Sequence, residues 1–523
     1  MTTPSLQRET FGYRGVIPLD LPPSATFCWC TGGNMTLPKE RIPLTLAGCF
    51  ESEYPSDDVI VVGDVASSTY ILAGAVTAQR SLTHFTAVRQ AGRLVAINVW
   101  QPDIAPDGTP EEVLILQGSD WRDLLVRYAE EAARRNGAIP HKGEPNLTGY
   151  CTWYYYYADV TADDFFENLE IIKRNQTGPY RSQVVQIDDG YQAFQGDWLT
   201  THASWPVSME EVAHQITSAG LQAGIWLMPF QTSTASQVFR NHPDWFVKGE
   251  DGQPAVSQGW SPPPDDLWAC LDLTHPAVLE HLAHVFQTFR KWGFTYFKMD
   301  GLGFALKHGG RHDASATPVS AFRQGMAAIR KAVPDAFLLS CCPPQLLCLG
   351  YADMSRVSND TKADWTQLAS AARTSMSRWW MVDRWFRCDP DVVVVRTDRG
   401  DNTLGASHIS ALAGILTGVS LTSDKLDVLP SDRLELLGRA TKLRMLNPRP
   451  ILWKVGEWES TFEGAVDGKP AVALFNYTEA PRTWKFADFG REGTAMELLQ
   501  PMGAVSGEIT LPPHDAALLQ WQA

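Results

Sequence analysis

The chain of 523 residues has no apolar run long enough to span a bilayer, so nothing in it reads as a membrane helix. It also lacks a basic excess. Lys and Arg number 44 against 59 Asp and Glu, a formal net charge of −15, which argues against nucleic acid or an anionic membrane surface as a partner. The opening residues, MTTPSLQRETFGYRG, contain no apolar core of the kind a secretory leader needs. The nine cysteines are an odd count without CxxC spacing. Reduced thiols in a cytoplasmic protein are the expectation, with no metal site. There is no His-Glu-x-x-His, no phosphate-cradling glycine loop and no Gly-x-Ser-x-Gly. No Gly-x-Gly-x-x-Gly follows a strand-like run, which weakens a dinucleotide-binding fold. No cofactor is implied.

Apolar and aromatic residues are plentiful: 44% hydrophobic, 11% aromatic, 19 Trp. That is enough for a large core, and tryptophan in such number also suits stacking on sugar rings. The length exceeds one core, so two or three domains are expected. Residues 1–118 show short β-rich runs, such as Val59–Val62, Thr69–Leu72 and Leu94–Trp100, and read as an antiparallel β-domain, a sandwich. Residues 119–146 read as a helical connector. Trp121, Leu124, Leu125 and Tyr128 share one helix face, and Pro140 to Pro145 punctuate a boundary.

From residue 147 to about 440, strand-like and helix-like stretches alternate. GYCTWYYYY reads as a strand, followed by runs at Gln183–Asp188, Ala223–Met228, Phe294–Met299, Phe337–Cys341 and, more weakly, Met354–Ser358. Helix starts are marked at Thr161 (with Asp164), at Ser208, at Thr274 before Pro276, and at Thr317 before Pro318. Gly220 and Gly293 read as stops. Further strands near Arg384 and Val419 are less distinct. The alternation means βα units and a parallel sheet, and the count and length favour a (β/α)8 barrel over an open sheet. Residues 441–523 turn β-rich again and read as a small C-terminal β-sandwich. The fold class is thus α/β: a (β/α)8 barrel flanked by an N-terminal antiparallel β-domain and a C-terminal β-sandwich.

Polar residues collect where these strands end. Trp153 and four tyrosines follow the first, Asp188-Asp189-Gly190 the second. Trp226 lies on the third, Lys298 and Asp300 on the fourth, Cys341-Cys342 after the fifth, Arg356 and Asp360 on and after the sixth. Each alone has a plain structural explanation: Asp-Gly is ordinary turn chemistry and Cys341 suits buried filler. Together they describe a ring of carboxylates, cations and aromatic faces at the end of a barrel where chemistry sits. Two carboxylates facing across such a pocket fit glycoside cleavage, one attacking the anomeric carbon and one protonating the leaving oxygen.

The stretch YFKMDGL at 296–302, with SRVSNDTKADW at 355–365, resembles the nucleophile and acid/base motifs of bacterial α-galactosidases of glycoside hydrolase family 36. The resemblance continues through GYCTWYYYY, VVQIDDGYQ, GDWL, GIWLMPF, HPDWFV, LDLTHP and SCCPP, over residues 120 to 425. It implies a retaining hydrolase of small α-galactosides of the melibiose or raffinose type, a monomer or homo-oligomer. Asp300 would be the nucleophile and Asp360 the general acid and base. Asp188 and Asp189 would bind the C4 and C6 hydroxyls, and Lys298 would reach the C3 and C4 side. Arg356 would lie near the C2 hydroxyl and the nucleophile, Trp226 and Trp153 would wall the ring, and Cys341 would lie in the region facing the C2 substituent. Lys298 and Arg356 together would hold Asp300 ionised, and Asp360 would need a drier or more acidic setting.

The chain departs from the family where Cys341-Cys-Pro-Pro344 replaces a glycine-rich stretch and where Asn359 precedes the acid. Trp29 is the candidate for the tryptophan that the family's N-terminal domain contributes. Rival readings are an α-N-acetylgalactosaminidase or a galactosyl-transferring enzyme on the same barrel, a Schiff-base aldolase built on Lys298, and a catalytically inactive sugar-binding protein.

Overall fold

The computed structural model describes residues 5–9, 12–32, 47–49, 55–104, 108–139, 146–259, 267–453 and 457–522. The boundary expected at Pro140 to Pro145 lies outside the described residues. Eight short, buried strands form a single parallel sheet in the middle of the chain. They are β1 (Leu147–Cys151), β2 (Val184–Ile187), β3 (Gln222–Leu227), β4 (Phe294–Met299), β5 (Phe337–Ser340), β6 (Met354–Arg356), β7 (Arg387–Asp389) and β8 (Val419–Thr422). Their order is β7-β6-β5-β4-β3-β2-β1-β8, and each ladder is parallel. β7 and β8 share no ladder. Just past β7, however, the Val393 N–H donates to the Leu421 carbonyl of β8 at 2.7 Å. The sheet is nearly closed into a (β/α)8 barrel.

Sequence punctuation sets most of the barrel helices. Thr161 and Asp164 make a reciprocal capping box on α1 (Ala162–Asn175), which satisfies two backbone donors that a helix start leaves open. The Ser208 hydroxyl accepts from Glu211 N at the start of α2 (Met209–Ser218). Gly293, at φ 112°, ends α3 (Pro276–Trp292) and turns the chain into β4. Thr317 caps α4 (Pro318–Ala332) with Pro318 as the first helical residue, the place where a missing N–H costs nothing. One cap differs from expectation. His275 Nδ1, not Thr274, accepts from Ala277 N at the start of α3, because Thr274 Oγ1 already donates to Asp272 at 2.7 Å. Three more long helices follow, α5 (Trp365–Met376), α6 (Leu404–Thr417) and α7 (Ser431–Lys442), while β5 and β6 are joined by the single helical turn Gln345–Cys348.

The run GYCTWYYYY is not one strand. β1 stops at Cys151, and Trp153–Tyr156 coil into a single helical turn. The Thr152 hydroxyl accepts from Asp188 N at 2.9 Å, and that bond turns the chain across the end of β2. The β propensity of the tyrosines yields to tertiary contacts, with Tyr154 and Tyr155 buried.

Two-residue alternation sorts the strand side chains. Leu147, Val184, Tyr296, Leu339, Met354, Val419 and Leu421 form one cluster inside the barrel. Val185, Ile187, Ala223, Ile225, Phe297 and Met299 belong to the larger core shared with the helices, and a register shift at the start of β4 sends Phe294 there too. Gly224 of β3 is required by this interior. A β-carbon there would come to 2.9 Å from the Tyr296 ring and 3.2 Å from the Gln186 backbone.

Before the barrel lie two antiparallel sheets of five strands each. Packed between them is an apolar core that includes Ile60, Val62, Ala73, Phe85, Ile97 and Val99. The helix Trp121–Asn136 follows, capped by Asp120 and ended by left-handed Gly137. After the barrel comes an antiparallel sheet of six strands with a two-stranded partner. An excursion after β3 adds a small sheet, ordered Gln231–Ser233, Leu267–Cys270, Val256–Gln258, which the sequence reading did not anticipate. No helix among the described residues is long and apolar enough to cross a membrane.

Gly224→Ala should lower stability by about 1–3 kcal/mol through overpacking of the Tyr296 ring. Urea denaturation of the two proteins measures this, and equal midpoints would show that the interior has room to spare.

Candidate active site

The same alternation carries the chain from apolar interior to polar mouth. Val184 leads to Gln186 and Asp188, Tyr296 to Lys298 and Asp300, Leu339 to Cys341, Met354 to Arg356. Arg387 leads to Asp389 and Asp391 beyond β7. Five of the eight strands, β2 and β4 to β7, therefore deliver polar side chains to one end, the carboxyl end of a parallel barrel.

Lys298 sits at the centre. Its Nζ is 2.9 Å from Asp188 Oδ2, and both side chains are almost wholly buried. The same oxygen accepts from Gln186 Nε2 at 2.6 Å and takes the Cys151 thiol at 3.4 Å. Burial works against the Lys298 charge, but Asp188, together with Cys341, Cys151 and Asp300, lifts the ammonium well above its ordinary value. Asp189 follows, with its Oδ1 accepting from Gln192 Nε2.

Asp300, half-buried, is held by two donors. Trp226 Nε1 donates to Oδ2 at 3.1 Å and Gly301 N to Oδ1 at 2.7 Å. Burial alone would raise this carboxyl. The Lys298 charge, the indole and the backbone N–H together hold it below the usual carboxylate value. Gly301, at φ 61°, makes the turn that follows. The Cys341 and Cys342 sulfurs and an Asp300 oxygen lie within 4.8 Å of one another. These three could hold a soft divalent ion.

Arg356 organises the opposite side. Its Nη2 lies 2.8 Å from Asp360 Oδ1 and 2.6 Å from Asp391 Oδ2, and Nη1 lies 3.8 Å from the Cys341 sulfur. The Tyr154 hydroxyl donates to Asp360 Oδ1 at 3.1 Å. Asp360 is open, its side chain 62% exposed, while Asp391 is 4% exposed.

Several expectations change. Arg356 was expected beside the nucleophile, but it pairs with Asp360 and Asp391, and Lys298 is the cation that lowers Asp300. Asp360, for which a drier or more acidic setting is expected, is open to water and touches a guanidinium that it shares with a second carboxylate, Asp391, because the loop after β6 carries it past the barrel rim. Trp226 is 2% exposed and donates to Asp300, so most of its surface is spent inside the barrel. Trp153 packs edge-on against Tyr157, ring centroids 5.4 Å apart; no hydrogen bond joins it to either carboxylate among the described residues. Trp29 is fully buried and donates to Glu459 at 3.3 Å, between the two β-regions, so it does not line the mouth. Tyr154, Gln186, Asp389 and Asp391 were missed. Asp389-Pro-Asp391 carried the same signal as the other strand-end carboxylates, but β7 is three residues long and its run was indistinct.

A barrel that gathers paired carboxylates, a buried lysine, an arginine and indoles at its carboxyl end has the makings of a sugar-cleaving enzyme. Comparison with known proteins gives this class a particular direction. Residues 184–315 match the Melibiase family model. A type A blood α-D-galactosamine galactosaminidase from Flavonifractor plautii is 23% identical over 63% of this chain and 32% of its own length. The α-galactosidase AgaA of Geobacillus stearothermophilus is 25% identical over 35% of this chain and 26% of its own. The chain thus matches a third or less of the length of these curated relatives. In fold it is similar to the Thermus thermophilus α-galactosidase TtGalA, solved with p-nitrophenyl α-D-galactopyranoside. The TM-score is 0.68 and the identity 22%, covering 89% of this chain and 95% of that one. The likeness to the family 36 α-galactosidases read from the sequence therefore holds in both sequence and fold.

Lys298→Met should cost about 3–5 kcal/mol of stability, because it leaves the Asp188 carboxylate buried without its cation. Denaturant titration checks the value; a loss under about 1 kcal/mol would mean that the buried pair is dispensable.

Proposed function

We propose that this chain is a retaining glycoside hydrolase that releases terminal α-linked galactose from small α-galactosides through a covalent glycosyl-enzyme. The observation that carries the reading is the pair of carboxylates presented by β4 and by the loop after β6. They differ in environment: Asp300 is ringed by donors and held ionised, while Asp360 is open and reached by Tyr154 and Arg356. Such an asymmetry divides labour between a nucleophile and a proton carrier. The oligosaccharide-type substrate is supported by the likeness to α-galactosidases.

In this reading Asp300 attacks the anomeric carbon while Asp360 gives its proton to the departing oxygen. Asp360 then takes a proton from the water that releases the sugar. Asp188 and Asp189 accept from the C4 and C6 hydroxyls. Lys298 reaches the C3 and C4 side, and Arg356 and Cys341 border the C2 side. Trp226 and Trp153 wall the ring, with Trp226 also orienting Asp300. When sugar fills the mouth, water leaves Asp360, and the dry setting that a general acid needs is supplied by the substrate itself. An aldolase reading is disfavoured, because Asp188 keeps the Lys298 nitrogen protonated and therefore not nucleophilic. The eight described cysteines are free thiols, which supports a reducing, cytoplasmic setting.

Four measurements bear on this. The anomer first released from an α-galactoside, followed by proton NMR, should be α. Asp300→Gly should abolish turnover, and azide or formate should restore part of it; β-galactose as first product would overturn the reading. Asp360→Ala should spare the first step on p-nitrophenyl galactoside, whose leaving group departs unprotonated. On substrates with sugar leaving groups it should cost roughly 10²–10⁴-fold; equal losses on both would remove Asp360 from the acid role. Finally, Lys298→Met removes the charge that lowers Asp300, so Asp300 protonates at higher pH. The acid limb of kcat/KM should move upward with it, and an unmoved limb would break the link between Lys298 and Asp300.

A further inference from the structure

A general acid must hold a proton, yet Asp360 lies 2.8 Å from a guanidinium. An arginine paired with one carboxylate favours the ionised form. The geometry at β7 resolves this conflict. The Arg356 Nη2 that meets Asp360 also lies 2.6 Å from Asp391 Oδ2, so one cation is shared between two carboxylates. Asp391 is the more buried of the two, at 4% exposure against 62%. It also grips the loop that carries the acid: its Oδ2 accepts from Thr361 N at 2.7 Å and from Thr361 Oγ1 at 3.0 Å. Thr361 is the residue directly after Asp360.

We infer that Asp391 is a positioning residue for Asp360. It anchors the acid's loop through Thr361 and takes up the Arg356 charge, leaving Asp360 free to carry a proton. The inference rests on the reading of Asp360 as general acid. Arg356 then acts as a fixed strut whose charge is already balanced: its Nε donates to Ser358 at 3.2 Å and its Nη2 to Tyr154 at 3.2 Å. Asp391 itself is oriented from below, with its N–H donating to Asp389 Oδ1 at 2.9 Å. The groups facing it are Arg356 on β6, Asp360 and Thr361 in the following loop, Asp389 on β7, Tyr154 after β1 and Lys298 on β4. Burial pushes Asp391 up to about 6, against the pull of Arg356 and with the added repulsion of Asp360 and Asp389.

Asp391→Asn tests this, because it keeps the shape and an oxygen for Thr361 but removes the charge. With melibiose-type substrates kcat/KM should fall on the order of 10-fold or more. With p-nitrophenyl galactoside, kcat/KM, which reports the first step, should fall less than about 3-fold, since that leaving group needs no acid. With Asp391 no longer sharing the Arg356 charge, the acid step should fail earlier as pH rises, so the basic limb of kcat/KM should move to lower pH. Asp391→Glu should recover part of the loss on sugar leaving groups. Equal losses on both substrates, or an unmoved basic limb, would overturn the proposal. Should Asp391→Asn fail to fold, Thr361→Val removes one of the two bonds to Asp391. It must then show the same selective loss on sugar leaving groups, or the proposal falls. The Asp360→Ala comparison separates the two ideas: if that variant lacks the leaving-group dependence, the acid assignment itself has failed. If it shows the dependence and Asp391→Asn does not, only the positioning role has failed.

Discussion

The buried contact between Lys298 and Asp188 is the constraint on which the rest of the site depends. Two charges taken out of water are costly unless every remaining donor and acceptor is met. Here Gln186, Cys151 and the Asp189 N–H crowd the same carboxylate, and the pair bolts β2 to β4 across the intervening β3. Between them β3 carries Gly224, opposite Tyr296, and then Trp226, in register with Lys298. Trp226 then reaches Asp300, and the lysine charge lowers the same carboxylate. The ionisation of the proposed nucleophile is thus a consequence of how the barrel's centre is stabilised.

The acid side obeys a different rule. Arg356 stands between two carboxylates of unequal exposure, and Tyr154 reaches into the same group from the turn after β1. That turn exists because the Thr152 hydroxyl takes the Asp188 N–H. The two halves of the site therefore share a link: the backbone that fixes Asp188 also aims the tyrosine that touches Asp360. Cys341 bridges the halves from β5, lying against Asp300 on one side and 3.8 Å from Arg356 on the other.

The flanking β-regions hold the barrel from outside. Glu459 of the C-terminal region accepts from Trp29 of the N-terminal region and from Ser377 at the end of α5. Three regions meet on one buried carboxylate, which burial raises above its usual value. A tryptophan committed to that joint is unavailable to the sugar, however well its position in the chain fits.

What the sequence determined by itself was whatever depends on local order. Alternation by two placed Asp188, Lys298, Asp300 and Arg356 at the carboxyl ends of strands. Caps at Thr161, Ser208 and Thr317 set helix starts within a residue, since capping is decided by neighbours three positions apart. Strand-end carboxylates with a Lys-x-Asp motif pointed to glycoside chemistry. The tertiary structure alone decided which charges meet. Arg356 and Asp360 are only four positions apart, yet whether they meet depends on where the loop after β6 turns; whether Trp29 faces the mouth or a domain joint, and that Asp391 shares the arginine, depend on residues far apart in the chain, 430 positions for Trp29 and Glu459. Charge pairing over such separations is set by how closed the barrel is and how far each loop carries its side chain, and no local pattern records either.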